Sequence, residues 1–97
     1  SVNHFLGETV RIEVEYKPEP ATNAILYDFV GKNVSVQKLE NENCRAVFYK
    51  MNSVTLLGWF IKYMYKFMVI EPQMLRENIK TKLENTLEIM NNINGSQ

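Results

Sequence analysis

The chain is poor in the residues from which most catalytic and metal-binding sites are built. Its 97 residues include one cysteine, Cys44, and one histidine, His4. A single cysteine rules out an internal disulfide, and one thiol with one imidazole cannot supply the usual nitrogen and sulfur ligands of zinc. The four glycines are scattered along the chain instead of grouped in a phosphate-binding loop. We therefore expect no catalytic residues, no metal and no cofactor.

Net charge is absent as well. Eleven basic residues balance eleven acidic ones, and dividing the chain after Phe48 leaves −2 in the first part (five basic, seven acidic) and +2 in the second (six basic, four acidic). A stand-alone nucleic-acid binder needs a basic stripe, because phosphate contacts dominate its affinity. The balance argues against direct DNA or RNA binding, while the small bipolar field favours self-association or contact with a sister domain.

Long hydrophobic runs are also missing. The longest, residues 54–61, is interrupted by Thr55 and Gly58 and followed by Lys62, so no membrane-spanning helix is predicted. The N-terminus lacks the features of a signal peptide, and the low cysteine content fits a cytoplasmic location. The length predicts a single domain, residues 1–97. Since the chain does not begin with Met, we expect it to be a piece of a longer protein.

What is present is an alternation of strand and helix patterns. Residues 8–16 alternate apolar with polar side chains, which predicts a half-buried strand whose Glu13 and Glu15 face solvent. Two prolines end this strand, and residues 21–30 repeat apolar positions every four residues, as in a helix that ends at Gly31. Residues 33–39 and 44–51 form a predicted hairpin. Its second strand turns inward either Ala46 and Phe48 or Val47, Tyr49 and Met51.

The second half begins with a helix that Asn52-Ser53 caps and that carries Trp59. A short apolar strand over residues 67–71 ends at Pro72, where a long final helix begins. The apolar stripe of that helix is Leu75, Ile79, Leu83, Leu87 and Met90. Residues 1–7 are expected to be an incoming linker and residues 91–97 a frayed tail. The resulting order, βαββαβ plus a helix, predicts an α+β ferredoxin-like fold with a four-stranded antiparallel sheet.

Aromatic residues give two interpretations of the surface. Phe48 and Tyr49 lie on a strand that stacks bases in RNA-binding relatives of this fold, but the glycine-aromatic spacing of those modules is missing, so core packing is favoured. A second aromatic group surrounds the tryptophan helix. Core packing accounts for it, while the sharper interpretation is an interface with another chain. The candidate interface residues are Trp59, Tyr63, Tyr65 and Phe67.

Three short motifs resemble a known family. They are Trp59-Phe60-Ile61-Lys62-Tyr63-Met64, the strand that ends in Glu71-Pro72, and Leu75-Arg76-Glu77 soon after it. In this order they resemble the C-terminal extension, or WCX domain, of WYL-domain transcriptional regulators, and the resemblance covers essentially the whole chain. The family commonly places a glycine after the tryptophan helix. Here residues 64–66 occupy that bend, which predicts a non-glycine residue at positive φ.

The resemblance implies a non-catalytic regulatory and dimerisation domain. Such regulators carry an N-terminal winged helix-turn-helix and a WYL domain that senses an effector, and the extension couples effector sensing to DNA affinity. This chain is then expected to form a homodimer and to contact the WYL domain of its own or a partner chain. DNA would be bound only through the missing N-terminal domain, and no membrane would be involved.

Arg76 is the candidate contact to a partner or effector. A cation in the first turn of a helix is disfavoured by the helix dipole, which suggests that it pairs with an acidic or phosphate group elsewhere. The alternative is an internal salt bridge, for example to Glu71 or Glu13. Two other functions stay open: a stand-alone small-molecule sensor of the ACT-like kind, and an enzyme with a cleft that gathers Asp28 with tyrosines or lysines.

Overall fold

Residues 7–95 of the computed structural model form four strands and three helices, with side chains described through residue 93. In chain order the elements are β1 (Thr9–Tyr16), α1 (Pro20–Val30), β2 (Ser35–Lys38), β3 (Cys44–Met51), α2 (Val54–Lys62), β4 (Phe67–Glu71) and α3 (Gln73–Gly95). This order confirms the predicted βαββαβ arrangement with an additional helix. His4, the first six residues of the expected linker and the last two of the expected tail lie outside the described residues.

The strands form one antiparallel sheet in the order β2-β3-β1-β4. The central strand β1 pairs with β3 along its whole length. Its pairing with β4 is shorter and shifts register between Glu13 and Val14. Each of the two βαβ units places its helix on the same face, so the chain has the α+β, ferredoxin-like arrangement.

One face of the sheet packs against α1 and α2. Alternate residues of β1 are buried, as the period-two pattern predicts, and β3 turns Cys44, Ala46 and Phe48 inward. Tyr49 and Met51 therefore lie on the open face. The buried core comprises Val10, Ile12, Val14, Tyr16, Leu26, Cys44, Ala46, Phe48, Leu56, Phe60, Phe67, Val69 and Leu75.

Two predicted caps are present. Gly31 follows α1 with a φ of 68°, and its N–H donates to the Tyr27 carbonyl at 2.9 Å. The Ser53 side chain caps α2, because its Oγ accepts a hydrogen bond from the Leu56 N–H at 3.1 Å. These local signals set the end of α1 at Val30 and the start of α2 at Val54, as predicted.

The bend between α2 and β4 differs from the prediction. Within residues 7–95 the non-glycine residue with positive φ is Glu42, in the β2–β3 turn, and not a residue of 64–66. The bend closes instead through the N–H groups of Lys66 and Phe67, which both donate to the Tyr63 carbonyl, at 2.8 and 3.1 Å. Because these hydrogen bonds continue the helical turns of α2, no left-handed residue is needed.

The last helix runs further than predicted. The Pro72 carbonyl accepts hydrogen bonds from the N–H groups of Leu75 and Arg76, and the helix continues to Gly95. The helix therefore includes residues 91–95 of the expected tail. No proline or internal glycine interrupts the segment, and consecutive asparagines lower helix propensity only moderately.

Only the start of α3 packs on the domain. Leu75 is buried and Ile79 is half-buried, whereas every residue from 80 to 93 is exposed. The molecule is consequently 48 Å long in its largest dimension, against 31 and 23 Å in the other two. The predicted apolar stripe thus meets a core at its first two positions, while Leu83, Leu87 and Met90 project beyond the domain.

Candidate interaction surfaces

The four predicted interface residues do not form one surface. Phe67 is 2% exposed, and its ring centroid lies 5.2 Å from that of Trp59 and 5.4 Å from that of Tyr16. Trp59 is half-buried and stacks on Phe29 at 4.1 Å. Phe67 therefore belongs to the core, which corrects the prediction at that position. Of the four, Tyr65 is the one that is largely exposed, at 72%.

A shallow depression of about 350 Å³ remains between α1 and α2. Trp59 and Tyr63 line it together with Ile25, Ala24 and Asp28. It brings Asp28 close to a tyrosine but includes no lysine. The tyrosine with a strongly raised pKa is Tyr16, which does not line this depression; burial raises its pKa to about 12. That phenol is in the core rather than in a cleft, so the depression carries no argument for catalysis.

The open face of the sheet carries a network of paired charges. Arg45 lies between two carboxylates: its guanidinium nitrogens are 3.2 Å from a Glu13 oxygen and 3.1 Å from a Glu15 oxygen. The β1–β3 register causes this, since Glu15 is directly opposite Arg45. Arg11 is also 3.4 Å from Glu13. The acids predicted as solvent-face charges are therefore partly buried and paired.

The turn between β2 and β3 completes the network at Glu15. Asn43 and Asn41 donate hydrogen bonds to its second oxygen at 2.9 and 3.3 Å. Hydrogen bonds from Asn43, Arg45 and Asn41 lower the pKa of Glu15 below its ordinary value of 4.5. Tyr49 is exposed on the same face, but the acids offset the arginines beside it. The face therefore lacks the positive charge of a base-stacking platform, and Phe48 points into the core.

Arg76 lies in the first turn of α3 with an exposed side chain. The internal salt bridge predicted as an alternative is wrong: among residues 7–95, none of the ion pairs within 4.0 Å involves Arg76. Its proposed acceptor Glu13 is taken by Arg45 and Arg11. Arg76 instead borders an apolar groove of about 480 Å³ between β4 and α3. The groove is lined by Met64, Phe67, Met68, Val69, Arg76, Ile79, Lys80, Leu83 and Glu84.

The groove continues into the exposed apolar stripe of α3, because Ile79 and Leu83 belong to both. Met64 and Met68 are 46% and 67% exposed at one end. Leu83, Leu87 and Met90 follow along the helix. Sequence periodicity identified the stripe, but it could not show that the helix outruns the domain. The α3 surface was therefore missed as a candidate interface.

Comparison with known proteins leaves the family open. No family model, curated protein or solved structure matches the chain. Among the helices of residues 7–95, none combines the length and apolar character needed to cross a bilayer. Over the same residues, no group of three or more Cys, His, Asp or Glu side chains is placed to hold a metal ion.

Proposed function

We propose that the chain is a non-catalytic regulatory and dimerisation module of a WYL-type DNA-binding transcriptional regulator, located in the cytoplasm. The observation that carries the proposal is the placement of the family-like motifs in the fold. Trp59 stacks between α1 and the core, and Glu71-Pro72 joins β4 to α3. Leu75, three residues further, is the residue that anchors α3. The motifs thus position the one element that projects from the domain.

The charge distribution supports a regulatory role over direct DNA binding. On the sheet face Arg45 and Arg11 are occupied by carboxylates, so they are not available to phosphates. A module that transmits a signal needs surfaces that bind other domains. The apolar groove and the exposed stripe of α3 are suited to that purpose. DNA binding is assigned to a domain outside this chain.

Arg76 is the proposed contact to a neighbouring domain. Within residues 7–95 its guanidinium has no acid partner within 4.0 Å, and it stands beside the apolar groove. An acceptor on a WYL domain, on its effector or on a neighbouring subunit would complete a charge-assisted hydrogen bond there.

The gene itself tests the proposal. The coding sequence upstream of Ser1 is expected to encode a winged helix-turn-helix followed by a WYL domain. The complete product should then bind DNA, and Arg76→Gln should weaken its response to effector. Lys38→Gln, which changes an exposed cation on the edge strand β2 at the far side of the sheet from β4, should not. A start codon at this point in the gene, or an unrelated upstream domain, contradicts the proposal.

A stand-alone sensor is the second candidate, favoured by one further concavity. It lies beside β2, has a volume of about 620 Å³ and is lined by Arg11, Lys32, Asn33, Val34, Ser35, Val47 and Tyr49. Arg11 is already paired with Glu13, so the exposed Lys32 and the tyrosine are the groups that suit a small carboxylate or phosphate. A rise in melting temperature with amino acids or nucleotides, lost in Lys32→Gln, would support this function; no shift would remove it.

A further inference from the structure

The second half of α3 has an apolar stripe that nothing else in residues 7–95 covers. Leu87, Met90 and Ile93 are 59%, 55% and 57% exposed, and Leu83 is 38% exposed. Spacings of three and four residues place them on one side of the helix. A helical segment of this length is marginal in water without tertiary contacts. The stripe is therefore expected to be covered by a partner.

One polar residue within the stripe is already satisfied. Thr86 lies between Leu83 and Met90 on the same side, and its hydroxyl donates to the Lys82 carbonyl at 2.7 Å. It can therefore enter an interface without leaving its hydroxyl unpaired. The stripe is thus continuous from Ile79 to the end of the helix.

The charges of α3 are separated along its length. Residues 73–82 carry three basic side chains and one acidic, a net charge of +2, whereas residues 83–95 carry two acidic and no basic, a net charge of −2. Two such helices side by side in opposite directions bring each basic half against an acidic half. In the same direction they would bring like charges together. Opposed helix dipoles also favour the antiparallel pair.

We propose that α3 is the homodimerisation element, and that two copies of this chain pair antiparallel along its apolar stripe. The inference rests on the proposed function, since it names the surface by which the regulatory module would dimerise. Hydrophobic positions define the register. A two-fold axis that passes between residues 84 and 85 places Ile79 opposite Met90 of the second copy. It likewise places Leu83 opposite Thr86 of the second copy.

This register explains the groove and Arg76 together. The last turns of the second helix lie over the groove that Met64, Met68 and Ile79 line, and they bring Met90 and Ile93 of the second copy into it. Arg76, unfavourably placed at the start of its own helix, then lies beside the C-terminal end of the other. A cation is stabilised there by the unsatisfied carbonyls and the helix dipole.

Sedimentation equilibrium of the 97-residue chain, from about 1 to about 500 µM, tests the pairing. We expect a reversible dimer whose dissociation constant increases at least about 10-fold in Met90→Glu. Thr81→Glu adds the same charge on the opposite side of the helix and should change it less than about 3-fold. Circular dichroism checks that both variants stay folded. A strictly monomeric chain, or equal weakening by both variants, overturns the proposal.

Crosslinking distinguishes the helix directions. In the antiparallel register the two copies of residue 93 are offset by 17 residues along the helix axis, or about 26 Å. The two copies of Thr86 are offset along the axis by only about 5 Å. A short bis-maleimide should therefore join Thr86→Cys and leave Ile93→Cys unjoined, with buried Cys44 inert in both. Efficient joining of Ile93→Cys overturns the antiparallel pair. A monomeric chain whose gene still encodes a WYL domain would reject this surface alone and leave the regulatory function standing.

Discussion

The packed domain and the projecting half of α3 use the same amphipathic pattern with opposite results. In α1 the pattern buries Leu26 completely against the sheet, whereas in α3 it leaves Leu87 59% exposed. Charges differ in the same way: Arg45 is held between two carboxylates on the sheet, while the charges of α3 are segregated toward its two ends. A pattern that meets an opposing apolar surface within the chain forms a core, whereas the second half of α3 meets none among residues 7–95.

A leucine-to-alanine substitution should affect the free energy of unfolding very differently in the packed domain and in the projecting half of α3. Leu26→Ala removes a fully buried side chain and leaves a cavity, so it should lower the free energy of unfolding by about 2 to 5 kcal/mol. Leu87→Ala should change it by less than about 0.5 kcal/mol, because the side chain has no contacts to lose in the monomer. Urea denaturation at low protein concentration measures both. Comparable losses would mean that the second half of α3 is part of the cooperative core.

Two side chain–backbone hydrogen bonds allow a finer comparison. Ser53→Ala deletes the cap of α2 and should cost about 1 kcal/mol, since four N–H groups begin that packed helix. Thr86→Ala deletes a bond of 2.7 Å in the projecting helix. It should leave the free energy of unfolding unchanged and raise helicity slightly, because Ala is the better helix former. Thermal denaturation of the dilute chain would contradict the distinction if both variants melted equally early.

The smallest expected difference between the sheet and the projecting half of α3 is in how stability depends on acidic pH. The folded-state pKa of Glu15 is lowered from 4.5, so its contribution to stability is present above that value and is lost as the pH falls through the lower folded value. Glu15→Gln should therefore flatten the decline of the urea midpoint below about pH 4.5. Glu84→Gln removes an equal charge from the projecting helix and is the control. An unchanged acid limb in Glu15→Gln would show that the sheet network contributes nothing to pH dependence.

Local signals predicted most of the fold. Alternation in β1 and the caps at Gly31 and Ser53 depend on neighbours within a few residues, and so they could be identified in the sequence. The inward face of β3 could not, because both alternating sets contain residues of high strand preference. Pairing with β1 decided it by placing Phe48 in the core and Tyr49 outside.

The candidate surfaces were predictable only in part. Aromatic density around Trp59 suggested an interface, yet Phe29, from a distant part of the chain, stacks on that side chain and Phe67 packs beside it. The charge network was missed for the same reason, since Glu15 and Arg45 are 30 residues apart and meet only through strand register. Such contacts are long-range and leave no periodic signal.

The sequence by itself determined the element order, the ferredoxin-like fold class, the neutral charge and the apolar stripe of the last helix, because each depends on composition or short-range spacing. Only the tertiary structure decided which apolar faces are buried. α3 has 23 residues, while its burial against the domain ends near Ile79, so most of its stripe is left uncovered by the other described residues. Burial depends on what lies opposite a face, and that is set by how separate elements pack.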